Sequence, residues 1–229
     1  MPTLLGSSMR CTMLSADLIL SQRTPGDAKL KRLLDIVCAL GGLLVVAPLL
    51  AVVALAVLLD DGRPVLFRQE RVGRNGTRFD ILKFRSMRVQ PHGAGPLLTA
   101  AGDSRLTRVG RVIRRWKLDE LPQLLNVLRG EMTLVGPRPE VPRYVAHYSD
   151  AQRAVLALMP GITDPASLAF LDEERQLAAA RDPERFYLDH AMPTKIALNL
   201  DYARTATCWS DLGVVIRTVV AIADSRWRQ

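Results

Sequence analysis

From Ile36 to Leu59 the chain runs for about 24 residues without a charge, and no other stretch limits so strongly what it can fold into. A bilayer core takes roughly 20 apolar residues as a helix, so this run is long enough to cross one. It is too long for the apolar part of a signal peptide. Two features point away from a simple crossing. Pro48, near the middle, has no N–H to give the Leu44 carbonyl and crowds it, which predicts a kink or break, with Gly41 and Gly42 adding flexibility. Both flanks are also basic, with Lys29, Lys31 and Arg32 before and Arg63, Arg68 and Arg71 after. Basic flanks favour the cytoplasmic side of a membrane. Residues 29–62 are therefore read as a helical hairpin that enters the membrane and returns, and a plain transmembrane helix is the competing reading.

Residues 1–28 have no sustained periodicity and are read as a flexible leader; their apolar stretches are broken by Arg10 and Asp17. Lys and Arg total 31 against 23 Asp and Glu, a formal charge of +8. Such a balance suits nucleic acid, an anionic membrane or a phosphorylated substrate. Clustering of the basic residues beside an apolar segment argues against nucleic acid. The three cysteines, Cys11, Cys38 and Cys208, lack C-x-x-C spacing, and His92, His147 and His190 are scattered. Neither a disulfide framework nor a zinc site is expected.

Residues 63–229 read as one cytoplasmic domain on the membrane surface, of α+β class and mainly helical. Val65 to Phe67 and Arg78 to Leu82 read as strands joined by the turn Gly73 to Gly76, a small β-hairpin. Residues 90 to 103 read as a loop. Arg105 to Trp116 has the pattern of an amphipathic helix, its arginines around Leu106, Val109, Val112, Ile113 and Trp116. That pattern fits a solvated helix or one lying among lipid headgroups, apolar side down. Asp119 is placed as the N-cap of a helix running to Arg129, and helical patterns follow at about 140–158, 172–181, 183–206 and 209–226.

Three constellations carry chemistry. Asp119-Glu120 follows Arg114-Arg115-Trp116-Lys117. A capped helix with acidic residues at its positive end explains it structurally. The same carboxylate, among arginines, is fit to attack phosphorus or hold a divalent cation. Lys83-Phe84-Arg85 is either a surface strand end or a phosphate clamp. In Gly136-Pro137-Arg138-Pro139 two prolines fix a turn and pre-order Arg138 for an anion.

Taken in order, Lys31-Arg32-x-x-Asp35, the proline-interrupted apolar run, Leu82 to Met87, Asp119-Glu120-Leu121-Pro122-Gln123, Val135 to Pro139 and Pro160-Gly161-Ile162-Thr163 resemble the bacterial sugar transferases known as monotopic phosphoglycosyl transferases, in their small form. The resemblance covers about residues 29–222. It implies a re-entrant helix in the inner leaflet of the bacterial cytoplasmic membrane, placed by Lys31, Arg32, Asp35 and Pro48, with the domain on the cytoplasmic face. It implies that Asp119 attacks a UDP-sugar, expels UMP and passes the sugar phosphate to undecaprenyl phosphate, opening synthesis of a surface glycan such as an exopolysaccharide. Glu120 would be the partner of Asp119. Lys83, Arg85, Arg114, Pro137 and Arg138 would bind substrate, with Mg²⁺ required and Asp119 as its ligand. Membrane lipids are expected partners, and a homodimer is compatible with the sequence.

The chain departs from the family pattern in having Ala47 rather than Ser before Pro48, and Asp164-Pro165-Ala166-Ser167 rather than Gly-Trp after Thr163. Asn199 falls in the register of an Asp that some members carry near the site, with Asp201 nearby; neither is given a role. The competing functions are a membrane-anchored glycosyltransferase of another class, marked by release of UDP, and a non-catalytic adaptor for anionic lipid, which has no need of Asp119-Glu120.

Overall fold

The computed structural model describes residues 25–88 and 98–224; most of the leader and part of the 90–103 loop lie outside them. The apolar run forms the core of one 37-residue helix, α1 (Pro25–Asp61), with Pro48 inside it. The helical pattern runs on through Pro48, so the expected division into two helices is not seen. Pro48 still leaves the Leu44 carbonyl without its usual helical donor. By length and composition, α1 is the one helix among the described residues able to cross a membrane.

Both ends of α1 are tied to the rest of the protein. At the first, Asp35 is buried and accepts hydrogen bonds from Thr133 Oγ1 at 2.5 Å and Leu134 N at 3.2 Å. Arg32 donates to the carbonyls of Val127 at 2.7 Å and Leu128 at 3.1 Å. These close the C-terminal end of α3 (Gln123–Arg129), where carbonyls lack helical partners and a cation is favoured. Lys31 donates to Val135 O at 2.9 Å and pairs with Asp211. Lys31, Arg32 and Asp35, expected to place the membrane helix, are bound by the domain itself. Ala39, fully buried, packs with Ile81, Val127 and Met132.

At the other end, Val53 and Val57 pack on Phe84 and Ile113. Asp60 accepts from Val109 N at 2.9 Å, at the start of α2 (Arg108–Arg115). Arg85 donates to the carbonyls of Asp61 at 2.5 Å and Gly62 at 2.8 Å. On a helix advancing about 100° per residue, Asp35, Ala39, Val53 and Val57 fall within roughly 40° of one another. One stripe of α1 thus meets the domain at both ends. Other apolar residues, among them Leu34, Val37, Leu44, Val45, Val52 and Leu59, remain exposed.

The hairpin forms as expected but with longer strands, β1 (Leu66–Val72) and β2 (Arg78–Phe84), antiparallel from Leu66↔Phe84 to Val72↔Arg78. The turn takes a left-handed residue, Asn75 at φ 56°, a conformation asparagine tolerates. A second sheet is not foreseen by the sequence: β3 (Thr133–Val135) and β4 (Gly161–Thr163) pair in parallel. It exists because two glycines let backbones touch. A Cβ on Gly161 would lie 2.2 Å from Gly136 N, and one on Gly136 would lie 2.3 Å from Met159 O.

Four boundaries differ from the sequence reading. Helix α2 begins at Arg108, capped by Thr107, which accepts from Gly110 N at 2.8 Å. Its Val109 and Ile113 pack on α1, leaving Val112 and Trp116 exposed. Asp119 is not an N-cap: Lys117 turns left-handed at φ 54°, Leu118–Glu120 form a 3₁₀ turn, and α3 starts only after Pro122. The 140–158 stretch divides into α4 (Pro142–Val145) and a 3₁₀ segment, Gln152–Ala157. A short α5 (Pro165–Ala169), capped by Asp164, was not anticipated.

The remaining helices follow the expected pattern: α6 (Glu173–Ala179), α7 (Pro183–Phe186) leading through a π-turn into α8 (Met192–Thr205), and α9 (Cys208–Ala223). The largest core cluster joins Val72, Tyr144, Tyr148, Leu177, Tyr187 and Ile196, with the Tyr144 and Tyr187 rings 5.1 Å apart. It holds β1, α4, α6 and α8 around a cleft.

Candidate active site

The cleft has a volume of about 2160 Å³. Its floor carries Asp119 and Glu120 on the 3₁₀ turn that the left-handed Lys117 creates. Lys83, at the end of β2, donates to Glu120 Oε1 at 3.0 Å. Arg138, on the proline-bounded turn after β3, grips Glu120 with two donors, one to Oε2 at 3.0 Å and a shorter one to Oε1. Four of the sequence-derived site residues, Lys83, Asp119, Glu120 and Arg138, therefore meet at one point. Pro137 lines the cleft beside them, and its carbonyl accepts from Gly161 N at 2.9 Å.

Arg114 and Arg85 sit differently. Arg114 lines the cleft and pairs with Glu174 of α6. Arg85 is 4% exposed and lines the cleft; its Nη2 binds the end of α1, with Asp61 Oδ2 at 3.2 Å, while its buried Nε has no hydrogen-bond partner. It joins helix to hairpin and also borders the cleft.

The two carboxylates are electrostatically unlike. Glu120 is buried, which by itself would raise its pKa, but Arg138 and Lys83 outweigh this and hold the carboxyl well below the ordinary range. Asp119 lacks such partners. Burial, and then the charge of Glu120, raise its pKa above the usual carboxylate value, against a smaller pull from Lys83, Arg114 and Lys117. Its Oδ1 is buried with no hydrogen-bond partner. A buried polar atom left unmade is costly and calls for a reason. The cations expected to steady Asp119 are thus committed mainly to its neighbour, and Asp119 is left poised and open.

Sequence reasoning overlooks a supporting layer. Arg71 donates to Pro139 O at 3.0 Å, Glu140 lies 3.5 Å from Arg71, and Tyr187 donates to Glu140. These contacts fix the far end of the Arg138 turn. Alternation along β1 marks Arg71 as facing inward, but nothing local identifies its target.

Burial lowers the pKa of Lys83 to about 8, despite the opposing charge of Glu120. If the protonated ammonium is needed to receive an anion, kcat/KM, which reports the free enzyme, should fall as pH rises through about 8. Lys83→Arg should move that limb upward, since guanidinium stays protonated. A pH profile of kcat/KM for both proteins checks this; an unmoved alkaline limb would remove Lys83 from the role.

The site is thus an acidic pair in a cation-lined cleft suited to anionic groups, in a protein that also carries a long apolar helix. Comparison with known proteins is specific: the model of the bacterial sugar transferase family matches residues 26–225, and the chain belongs to that family. It is 40% identical over 195 residues to the UDP-glucose:undecaprenyl-phosphate glucose-1-phosphate transferase of Caulobacter vibrioides, covering 84% of this chain and 69% of the relative. It is 39% identical over 196 residues to the undecaprenyl-phosphate glucose phosphotransferase of Komagataeibacter xylinus, covering 82% of this chain and 35% of that one. Against the exopolysaccharide production protein PSS of Rhizobium leguminosarum bv. phaseoli it is 50% identical over 113 residues, 49% of this chain and 56% of the relative. The chain thus spans most of one relative and about a third of another.

Proposed function

We propose that the protein transfers a sugar 1-phosphate from a UDP-sugar to undecaprenyl phosphate, through a covalent intermediate on Asp119 and with release of UMP. The observation that carries this reading is Asp119 itself: a buried carboxylate with a raised pKa and an unpartnered Oδ1, opening into a cleft lined by Lys83, Arg114 and Arg138. The relatives' names supply the two substrates.

In the first half-reaction an oxygen of Asp119 attacks the sugar-bearing phosphorus. The bond from that phosphorus to the bridging oxygen breaks, and UMP leaves with the electron pair. In the second, an oxygen of undecaprenyl phosphate attacks the same phosphorus and Asp119 leaves as carboxylate. Such transfers depend on positioning and charge neutralisation more than on elaborate groups. Dividing the reaction lets a soluble donor and a lipid acceptor use the site in turn. Glu120 holds Lys83 and Arg138 in place until the diphosphate replaces part of its claim on them.

Among the described residues no group of three His, Cys, Asp or Glu side chains is arranged for a metal. Mg²⁺ does not need one, because it binds through one or two carboxylates together with substrate phosphates. The unpartnered Oδ1 of Asp119 fits that demand; the ion would be held there and would neutralise diphosphate charge.

We place the protein on the cytoplasmic face of the bacterial inner membrane, held by the exposed apolar surface of α1, as the first step of a surface glycan.

The test uses the purified full chain with UDP-glucose or UDP-N-acetylgalactosamine. Without acceptor, about one UMP per chain is expected; with undecaprenyl phosphate, UMP should continue to turn over. Activity should vanish in excess chelator and return with Mg²⁺. Release of UDP in place of UMP would transfer the protein to another glycosyltransferase class.

A further inference from the structure

The cleft is larger than the acidic pair and its cations require, and its wall changes character away from them. On the side formed by α8 and α9 it is lined by Ile196, Asn199, Thr218 and Ile222, with Thr163 and Ser167 beside them. These side chains are neutral, and the one cation beside them on α8, Lys195, is paired with Glu173, so this wall has no cation left over for phosphate. Most of its polar groups are already satisfied. Thr163 and Thr218 share a hydrogen bond of 2.7 Å, and Ser167 Oγ donates to Asp164 at 3.0 Å.

Asn199 differs. It is 6% exposed, it lines the cleft, and among the described residues its side chain has no hydrogen-bond partner. An amide can offer two donors and one acceptor, and with none committed within the protein they are available to a ligand in the cleft. Its position is linked to the reacting end. Helix α8, which carries Asn199, packs on α5. The cap of α5 is Asp164, fully buried, whose charge also acts on Arg138. Arg138 in turn grips Glu120 beside Asp119.

Resting on the function proposed above, we infer that Asn199 reads the sugar of the UDP-sugar. It meets a hydroxyl or acylamino group on the pyranose while Lys83 and Arg138 hold the diphosphate. The assignment follows from chemistry and position. A neutral amide with both donors and an acceptor suits a neutral polyol, as a guanidinium suits phosphate. The sugar is joined to the phosphorus that Asp119 attacks, so it must lie next to the Arg138 end of the cleft. Sites that hydrogen-bond a substrate hydroxyl discriminate strongly against analogues lacking it, because the site's own polar group is then left unpaired. Asn199 is thus a specificity-determining residue, and it touches no reacting atom.

The experiment is calorimetric titration of the detergent-solubilised full chain with UDP, UDP-glucose and UDP-N-acetylgalactosamine. An Asp119→Asn background prevents transfer during the measurement. The parent should bind one UDP-sugar more tightly than UDP. Adding Asn199→Ala should weaken that UDP-sugar at least about tenfold and leave UDP within about threefold, so that the advantage of the sugar disappears. Asn199→Ser, which keeps a small polar group but not the reach, should behave alike and serves if the alanine variant melts early. Equal weakening of UDP and UDP-sugar would assign Asn199 to the nucleoside and overturn the inference, as would no change in either. UMP release by the protein with Asp119 intact, measured in parallel, reports on the proposed reaction independently of Asn199.

Discussion

Asp119→Asn should abolish turnover, by about a thousandfold or more, and leave the folded protein at least as stable at pH 7. The first half follows from chemistry. An amide is a very poor nucleophile, and the neighbouring carboxylate on the same turn, Glu120, is held by Lys83 and Arg138. A thousandfold loss corresponds to about 4 kcal/mol of transition-state stabilisation. The second half follows from linkage. The Asp119 pKa is raised on folding, first by burial and then by the charge of Glu120. A carboxyl with a raised folded-state pKa binds more protons folded than unfolded across that window. Stability is then lost as pH rises from the unfolded carboxylate value through the raised one. At neutral pH the ionised side chain is a net liability, and a neutral isostere removes it. Thermal melts and UMP release on the same preparation check both halves. Retention of more than about a tenth of the wild-type rate, under about 1.4 kcal/mol, would end the covalent role. A melting temperature several degrees lower would show instead that the charge helps to hold the turn together.

Asp119 also shows where sequence reading reaches its limit. Its presence beside Glu120 and the basic run was plain, and so was the Pro137-Arg138-Pro139 turn, because local residue types determine both. Its conformation was not. The N-cap assignment fails because Lys117 adopts a left-handed backbone, which inserts a 3₁₀ turn and delays α3 until after Pro122. Capping preferences describe a helix end in isolation and take no account of a turn that the cleft imposes. The hairpin was legible because period-two alternation and an Asn-Gly turn are local signals. The parallel pair β3–β4 was not, since three-residue strands carry no period. Its determinant, the close approach of Gly136 and Gly161, joins residues 25 apart.

The site follows the same division. Lys83, Asp119, Glu120 and Arg138 could be named from motifs. That Glu120 would take both cations and leave Asp119 without them could not, because it depends on distances between three elements. Arg85 shows the converse: a cation two residues from Lys83, just past the end of β2, is bound by the carbonyls that close α1, and nothing local in the sequence separates the two roles. The roles of Arg71, Glu140 and Glu174 escaped for the same reason, their partners lying far along the chain.

Probes placed before and after the apolar helix should report the same face of the membrane. A straight helix from Arg32 to Arg63 would reach about 45 Å, more than the roughly 30 Å of a bilayer core. A crossing would carry its two ends to opposite sides. Here both ends grip one body: Lys31, Arg32 and Asp35 hold α3, β3 and α9, while Asp60 and Asp61 are held by α2 and Arg85. That body carries exposed Arg108, Arg111, Arg115 and Lys117, which are expensive to bury in hydrocarbon. A crossing must therefore either sink this surface or break one set of contacts. Lying along the domain, with Leu44, Val45 and Val52 turned into one leaflet, avoids both costs. Pro48 lies in the span between the two sets of contacts, where the backbone carbonyl of Leu44 lacks its usual donor and the helix bends most easily. The measurement is cysteine labelling from each side of inverted and right-side-out vesicles. Cysteines at positions 27 and 63 are used one at a time, with Cys11, Cys38 and Cys208 removed. Both should label from the cytoplasmic side. Pro48→Leu should leave both there, because the end contacts remain. Combining Pro48→Leu with Asp35→Ala and Arg32→Ala should release the first end and send part of the population across. Opposite faces in the unaltered segment would establish a transmembrane helix and require the contacts at one end to be given up in the membrane.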